Sequence, residues 1–163
     1  MILGMTALTF VHVVLSLIGL LSGFVVLYGL LRAKQMESWV PIFFVTTLAT
    51  SLTGFGFPFH GFTPGLGVGV LSLVVLPAAI AGRYAFHLAG YWRVIYVVGS
   101  VMALYFNVLV LGAQAFEKIP PLHALAPNGS EPPFAIEQGV VLVFFVIMGI
   151  LSVRRFRPRP LGA

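Results

Sequence analysis

Apolar residues fall in five long runs separated by short polar or Pro- and Gly-rich connections, at about 7–31, 40–57, 66–88, 94–116 and 134–153. A helix needs about 20 apolar residues to cross the hydrocarbon of a bilayer, and each run is close to that length. The pattern predicts an all-α fold: one polytopic membrane helix bundle over residues 1–163, with five transmembrane helices and no separate extramembrane domain. Two runs depart from the simplest pattern. The second, Val40 to Phe57, is near the lower limit for a span, and the third contains both Arg83 and Pro77. Pro77 removes a backbone donor and predicts a bend in that helix.

Lys and Arg in the connections set the orientation, because short loops rich in them stay cytoplasmic. Arg32 and Lys34 follow run one, Arg83 and Arg93 bracket the turn between runs three and four, and Arg154, Arg155, Arg157 and Arg159 follow run five. Only Lys118 falls on the other side. Alternating five helices from an outside N-terminus reproduces this split, so the sequence predicts N-out and C-in, with outer loops at 58–65 and 117–133 and a basic cytoplasmic tail at 154–163. Run one has no preceding basic residue and no small-residue cleavage site, and reads as a retained span.

The helix faces predict how the bundle closes. His12, Ser16, Gly19 and Gly23 form one stripe on run one, and Gly99, Ala103, Asn107 and Gln114 another on run four. Small residues let helix backbones approach, and hydroxyls bond across or along helices for about 0.6 kcal/mol on average. Asn107 and Gln114 carry more polar capacity and must find partners inside hydrocarbon. They read equally as interhelical glue or as part of a polar path or second shell.

Composition sharpens this picture. The chain is 60% hydrophobic and 8% charged, with a mean hydropathy of +1.07, whereas soluble domains are about 45–50% apolar and about 25% charged. A water-soluble globule is excluded. The absence of Cys excludes disulfides, thiol catalysis and Cys-ligated metal centres. The net charge of +5 and pI near 10.1 do not indicate nucleic acid, because the arginines of the tail act as a stop-transfer anchor worth about 1 kcal/mol each near an anionic leaflet.

Placing the histidines and acids on the topology gathers His12, His60, His123, Glu117, Glu131 and Glu137 on the outer side, with Gln114 at the outer end of run four. Imidazole and carboxylate together ligate zinc, copper or non-haem iron, and paired imidazoles hold haem. His12, His60, His123, Glu131 and Glu137 are therefore candidate metal or cofactor ligands, with Asn107 and Gln114 supporting them. No H-x-x-x-H or E-x-x-H spacing occurs, so any such site is assembled from separate segments. The expected location is an outer pocket at the ends of helices one, two, four and five, beneath the two Phe- and Pro-rich loops. The loop around Gly54 to Gly65 reads as re-entrant or interfacial. At the cytoplasmic interface, Arg83 and His87 lie four apart and are expected to snorkel together, with Arg93, Tyr84, Tyr91 and Trp92 nearby. Asn128-Gly129-Ser130 matches the glycosylation acceptor pattern, which is short and common.

Val11-His12, Gly54-Phe55-Gly56-Phe57-Pro58-Phe59, Phe62-Thr63-Pro64, Trp92-Arg93-Val94-Ile95-Tyr96-Val97, Leu104-Tyr105-Phe106-Asn107 and Ser130-Glu131-Pro132-Pro133-Phe134 together resemble small uncharacterised bacterial integral membrane proteins. The resemblance spans most of the chain. It implies a multi-pass protein of the bacterial inner membrane and brings no residue roles. His12 also loosely resembles the ligand of small haem-binding membrane bundles, which carry further paired in-helix histidines.

The function read from these residues is non-catalytic: a small integral membrane protein acting through binding or assembly, with the lipid bilayer, a second copy or another membrane protein as partner and no nucleic acid. The alternative is a metal- or haem-binding redox component using the outer His/Glu set. A third reading is a small transporter or channel using Asn107, Gln114 and Glu137. There is no nucleophile–base motif and no Asp for a hydrolase.

Overall fold

The computed structural model describes residues 6–58 and 63–158. Its elements are α1 (Ala7–Leu31), α2 (Trp39–Gly54), α3 (Pro64–Ile80) continued by a π-helical turn (Ala81–Ala85), α4 (Tyr91–Lys118), a one-turn α5 (Pro120–His123) and α6 (Pro132–Arg155). Every regular element among the described residues is helical. Four helices are long and apolar enough to cross a membrane: α1, α3 with its π turn, α4 and α6. The second run forms a helix of only 16 residues, about 24 Å at 1.5 Å per residue, against about 30 Å of hydrocarbon.

Local chemistry explains the boundaries. The Thr6 hydroxyl accepts from the Thr9 N–H and starts α1, and Thr63 caps α3 in the same way with Pro64 at its first position. Pro132 and Pro133 open α6, where a missing N–H costs nothing. Ala33, Met36, His87 and Leu88 all have positive φ, and all lie in the two tight turns α1–α2 and α3–α4. Such backbones are unfavourable for L-residues. These two turns share the Arg-rich end of the bundle.

α4 is the central post. It packs against α1, α3 and α6, and 44% of its span is buried inside the chain against 6% of the α6 span. Small residues allow this packing. A Cβ on Gly23 of α1 would stand 2.6 Å from Leu104 Cδ1 and 2.9 Å from Phe43 Cε2, and one on Gly99 would stand 2.8 Å from Ala79 Cβ. The predicted small-residue faces of runs one and four thus lie at helix contacts. Phe43, Phe44, Tyr96, Val97 and Leu104 fill the centre.

Within one turn of Pro77, α3 widens into the π turn, whose Phe86 N–H reaches back to the Ala81 carbonyl at 2.9 Å. This turn lies directly on α4. A Cβ at Gly82 would come 2.8 Å from the Trp92 carbonyl oxygen, so only glycine permits the approach. At the far end of the chain Phe156 leaves α6 and folds back into the core with no exposure, 5.7 Å from Tyr96. The basic tail expected at 154–163 thus begins within the last turn of α6, with Phe156 buried and Arg154, Arg155 and Arg157 exposed around it.

Replacing Gly23 by Val should cost about 1–3 kcal/mol through overpacking. Gly139→Ala, with nothing within 4 Å of the added Cβ, should be neutral or stabilising by about 0.5–1 kcal/mol. Reversible unfolding in mixed micelles, followed through Trp39 and Trp92 fluorescence, separates the two. An equal response at both positions would contradict the packing of α1 on α2 and α4.

Candidate functional site

Hydroxyl groups inside this bundle mostly donate to their own helix. Ser16, Ser22, Thr46, Thr50, Thr53 and Ser100 each donate to a carbonyl four residues earlier, at 2.6–2.8 Å. In hydrocarbon these bonds replace those that water would supply. They also fix the roles of the groups around them.

His12 shows this directly. Its Nδ1 lies 2.9 Å from Thr53 Oγ1, and the Thr53 hydroxyl proton already goes to the Ala49 carbonyl at 2.8 Å. The Thr53 oxygen therefore accepts and Nδ1 carries the proton. The ring edge meets Phe57 at 5.2 Å. His12 thus ties α1 to the last turn of α2.

Asn107 has a similar part deeper in the bundle. Its amide donates to Thr47 Oγ1 at 3.2 Å, and a Cβ on Gly19 would fall 3.1 Å from that same oxygen and 3.5 Å from the Asn107 amide nitrogen. One small residue and two polar ones join α1, α2 and α4. Gln114, two turns further along α4, donates instead to Glu117 at 3.3 Å on the exposed end.

Glu137 occupies a different side of α4. Its carboxylate packs directly on Gly112, where any Cβ would collide with it, and accepts from the Gln138 amide at 2.6 Å. Gly112 lies five residues beyond Asn107, about 0.4 of a turn round the helix. Asn107 and Glu137 therefore engage different faces of α4 and do not form a single file.

Glu131 organises the last loop. One carboxylate oxygen accepts from the Asn128 backbone N–H at 3.1 Å and its side-chain amide at 2.8 Å, and the other from the Ser130 N–H at 3.0 Å. Gly129 supplies the positive φ that this turn requires. The Asn128 amide of the acceptor pattern is thus engaged within the chain. His123 and Glu117 line a small cavity of about 230 Å³ beside this loop, with Phe116, Asn128 and Phe134. Of the residues expected to share one pocket, His123 lines this cavity beside α4 and α6, whereas His12 lies against α2. His60 lies outside the described residues. Among the described residues no three His, Asp or Glu side chains are grouped to hold a metal ion.

At the Arg-rich end Arg83 and His87 part company. Arg83 is buried, 7% exposed; it donates to the Tyr96 hydroxyl at 3.4 Å and lies over the Tyr96 and Tyr84 rings at 5.3 and 5.7 Å. Cation–π contacts of a desolvated guanidinium contribute about 2 kcal/mol. His87 is exposed with φ of 48°. The widened turn shifts the four-residue register that would have aligned them. Phe86 and Trp92 stack at 3.8 Å beside the turn. Arg93 donates to the Val153 and Phe156 carbonyls at 2.9 and 2.6 Å, closing the end of α6 on α4.

A second, larger concavity has no counterpart in the sequence reading. It is a groove of about 490 Å³ between α4 and α6, walled by residues such as Val98, Met102, Phe145 and Ile150, with Gly149 on its α6 side and Arg154 at one end. Arg154 is its one charged residue. The sequence signal was a lone glycine in the bulky run Val143-Phe144-Phe145-Val146-Ile147-Met148-Gly149. Unlike Gly23 or Gly112, Gly149 is under no steric demand: its Cβ would rest 3.6 Å from Val101 Cγ1.

Desolvation pulls the Glu131 carboxyl upward, but the N–H groups of Asn128, Ser130 and Glu131 and the Asn128 amide outweigh it and hold the carboxyl below its ordinary value of 4.5. A carboxyl lowered by folding contributes order above its unfolded value and loses it as pH falls through the folded one. The protection factors of the Asn128 and Ser130 amides, taken relative to intrinsic exchange at each pH, should therefore fall below about pH 4.5. In Glu131→Gln they should be low and independent of pH in that range; protection that persisted in the variant would overturn this account of the loop. Compared with known proteins, the chain matches no family model, no curated protein and no solved structure.

Proposed function

We propose that this chain is a non-catalytic component of the bacterial inner membrane that acts by binding a membrane-resident partner, with five spans, its N-terminus outside and its Arg-rich end cytoplasmic. The observation that supports this reading is the α4–α6 groove. Its volume and nearly unbroken apolar lining match those of small-molecule sites, which occupy about 300–1,000 Å³ and carry few polar groups. The polar residues offer a contrast. His12, Asn107, Glu131 and Arg93 are each engaged in bonds that hold helices or loops together, and Glu137 packs on Gly112 of α4. The excess of Lys and Arg at one end supports the orientation.

The chain has no Cys, so single cysteines report topology cleanly. A membrane-impermeant maleimide should label Ser130→Cys on intact cells and Ala89→Cys only after permeabilisation; the reverse pattern would invert the orientation. For the groove, native mass spectrometry of the detergent-released protein should find a retained amphiphile in wild type and in Gly149→Ala, and none in Gly149→Leu, whose side chain fills the space. Equal retention in Gly149→Leu and wild type would overturn the binding reading.

A further inference from the structure

We propose that the α4–α6 groove holds one acyl chain of an anionic phospholipid from the leaflet at the Arg-rich end, with the lipid phosphate at Arg154. The inference rests on the binding reading above and names its ligand. Three observations carry it: the length of the groove, its lining and its charge.

On α6 the groove runs from Leu142 to Arg154, twelve helical steps or about 18 Å. Half of the hydrocarbon core is about 15 Å. The groove therefore extends from the interface to near the midplane and stops there, at Tyr105, Phe106 and Leu142. A transmembrane helix of a second copy would need a seam through both leaflets. A lipid tail needs only one.

The lining is apolar along this length and ends in a single cation. That gradient is complementary to an amphiphile with a hydrocarbon tail and an anionic head. Charge is concentrated where such a head would lie, since Arg155 and Arg157 are also exposed at this end. Arg93, by contrast, is committed to the Val153 and Phe156 carbonyls. This bond pins the end of α6 to α4 and so holds the mouth of the groove in place. Gly149 lies partway along, where a methyl group would rest in ordinary contact with Val101 at 3.6 Å.

The test uses the full chain in phosphatidylcholine nanodiscs, photolabelled with phosphatidylglycerol or phosphatidylcholine bearing a diazirine near the end of one acyl chain. The phosphatidylglycerol probe should label α4 and α6 about fivefold more strongly than the phosphatidylcholine probe, equivalent to about 1 kcal/mol. Arg154→Gln should abolish that preference, and Arg157→Gln should retain it. Gly149→Leu should abolish labelling of the groove by both probes, while Gly149→Ala, which tests that the helix tolerates a side chain there, should keep it. Equal labelling by the two probes, or equal loss of preference in Arg154→Gln and Arg157→Gln, overturns the assignment of an anionic lipid at Arg154 but leaves a groove that binds amphiphiles. Labelling indifferent to Gly149→Leu overturns the groove reading itself. Cross-linking of two copies through α4 and α6 overturns the lipid in favour of a helix.

Discussion

A polar group inside hydrocarbon must find its partner within the chain, because no water is there to supply one. The bundle depends on this constraint. Most serine and threonine hydroxyls return to their own helix carbonyls, and at Thr53 this leaves the oxygen to accept from His12; at Thr47 the oxygen accepts because the Asn107 amide nitrogen can only donate. The same rule closes the open end of α6, where carbonyls without helical partners are met by Arg93. Polar residues that look like functional candidates in such a chain are first of all fasteners.

Packing supplies the second element. With lipid as apolar as the side chains, helix association depends on close fit more than on exclusion of water. Gly23, Gly99 and Gly112 lie where a neighbouring helix comes too near for a side chain, and α4 becomes central because it presents two of them on different faces. Gly149 stands apart, since nothing crowds it. The fit between α4 and α6 is tight at Gly112 and at Phe156 and loose between them, and the groove is the space left over.

The Arg-rich end shows how one local irregularity redirects chemistry. Pro77 is followed by a π turn, the turn lies on α4 at Gly82, and Arg83 is carried inward onto Tyr96 while His87 remains outside. π-helical turns frequently mark functional positions. Here the turn packs a cation among aromatic rings at the edge of the core, on the end of the bundle where the remaining arginines gather.

Four span-length helices and a shorter apolar one were legible in the sequence as apolar runs, because the length of a run is a one-dimensional property; the one-turn α5 was not. The small-residue faces at Gly19, Gly23 and Gly99 were legible for a similar reason: a helix repeats every 3.6 residues, so spacing reveals a face. What the tertiary structure decided was which faces meet. His12, His123 and Glu131 lie on the same side by topology, yet they do not meet: packing sets His12 against Thr53 of α2, His123 lines a cavity with Glu117, and Glu131 is held by Asn128 of its own loop. The groove was invisible for the same reason. A void between two helices belongs to neither, and Gly149 signifies space only once Val101 is known to stand opposite it.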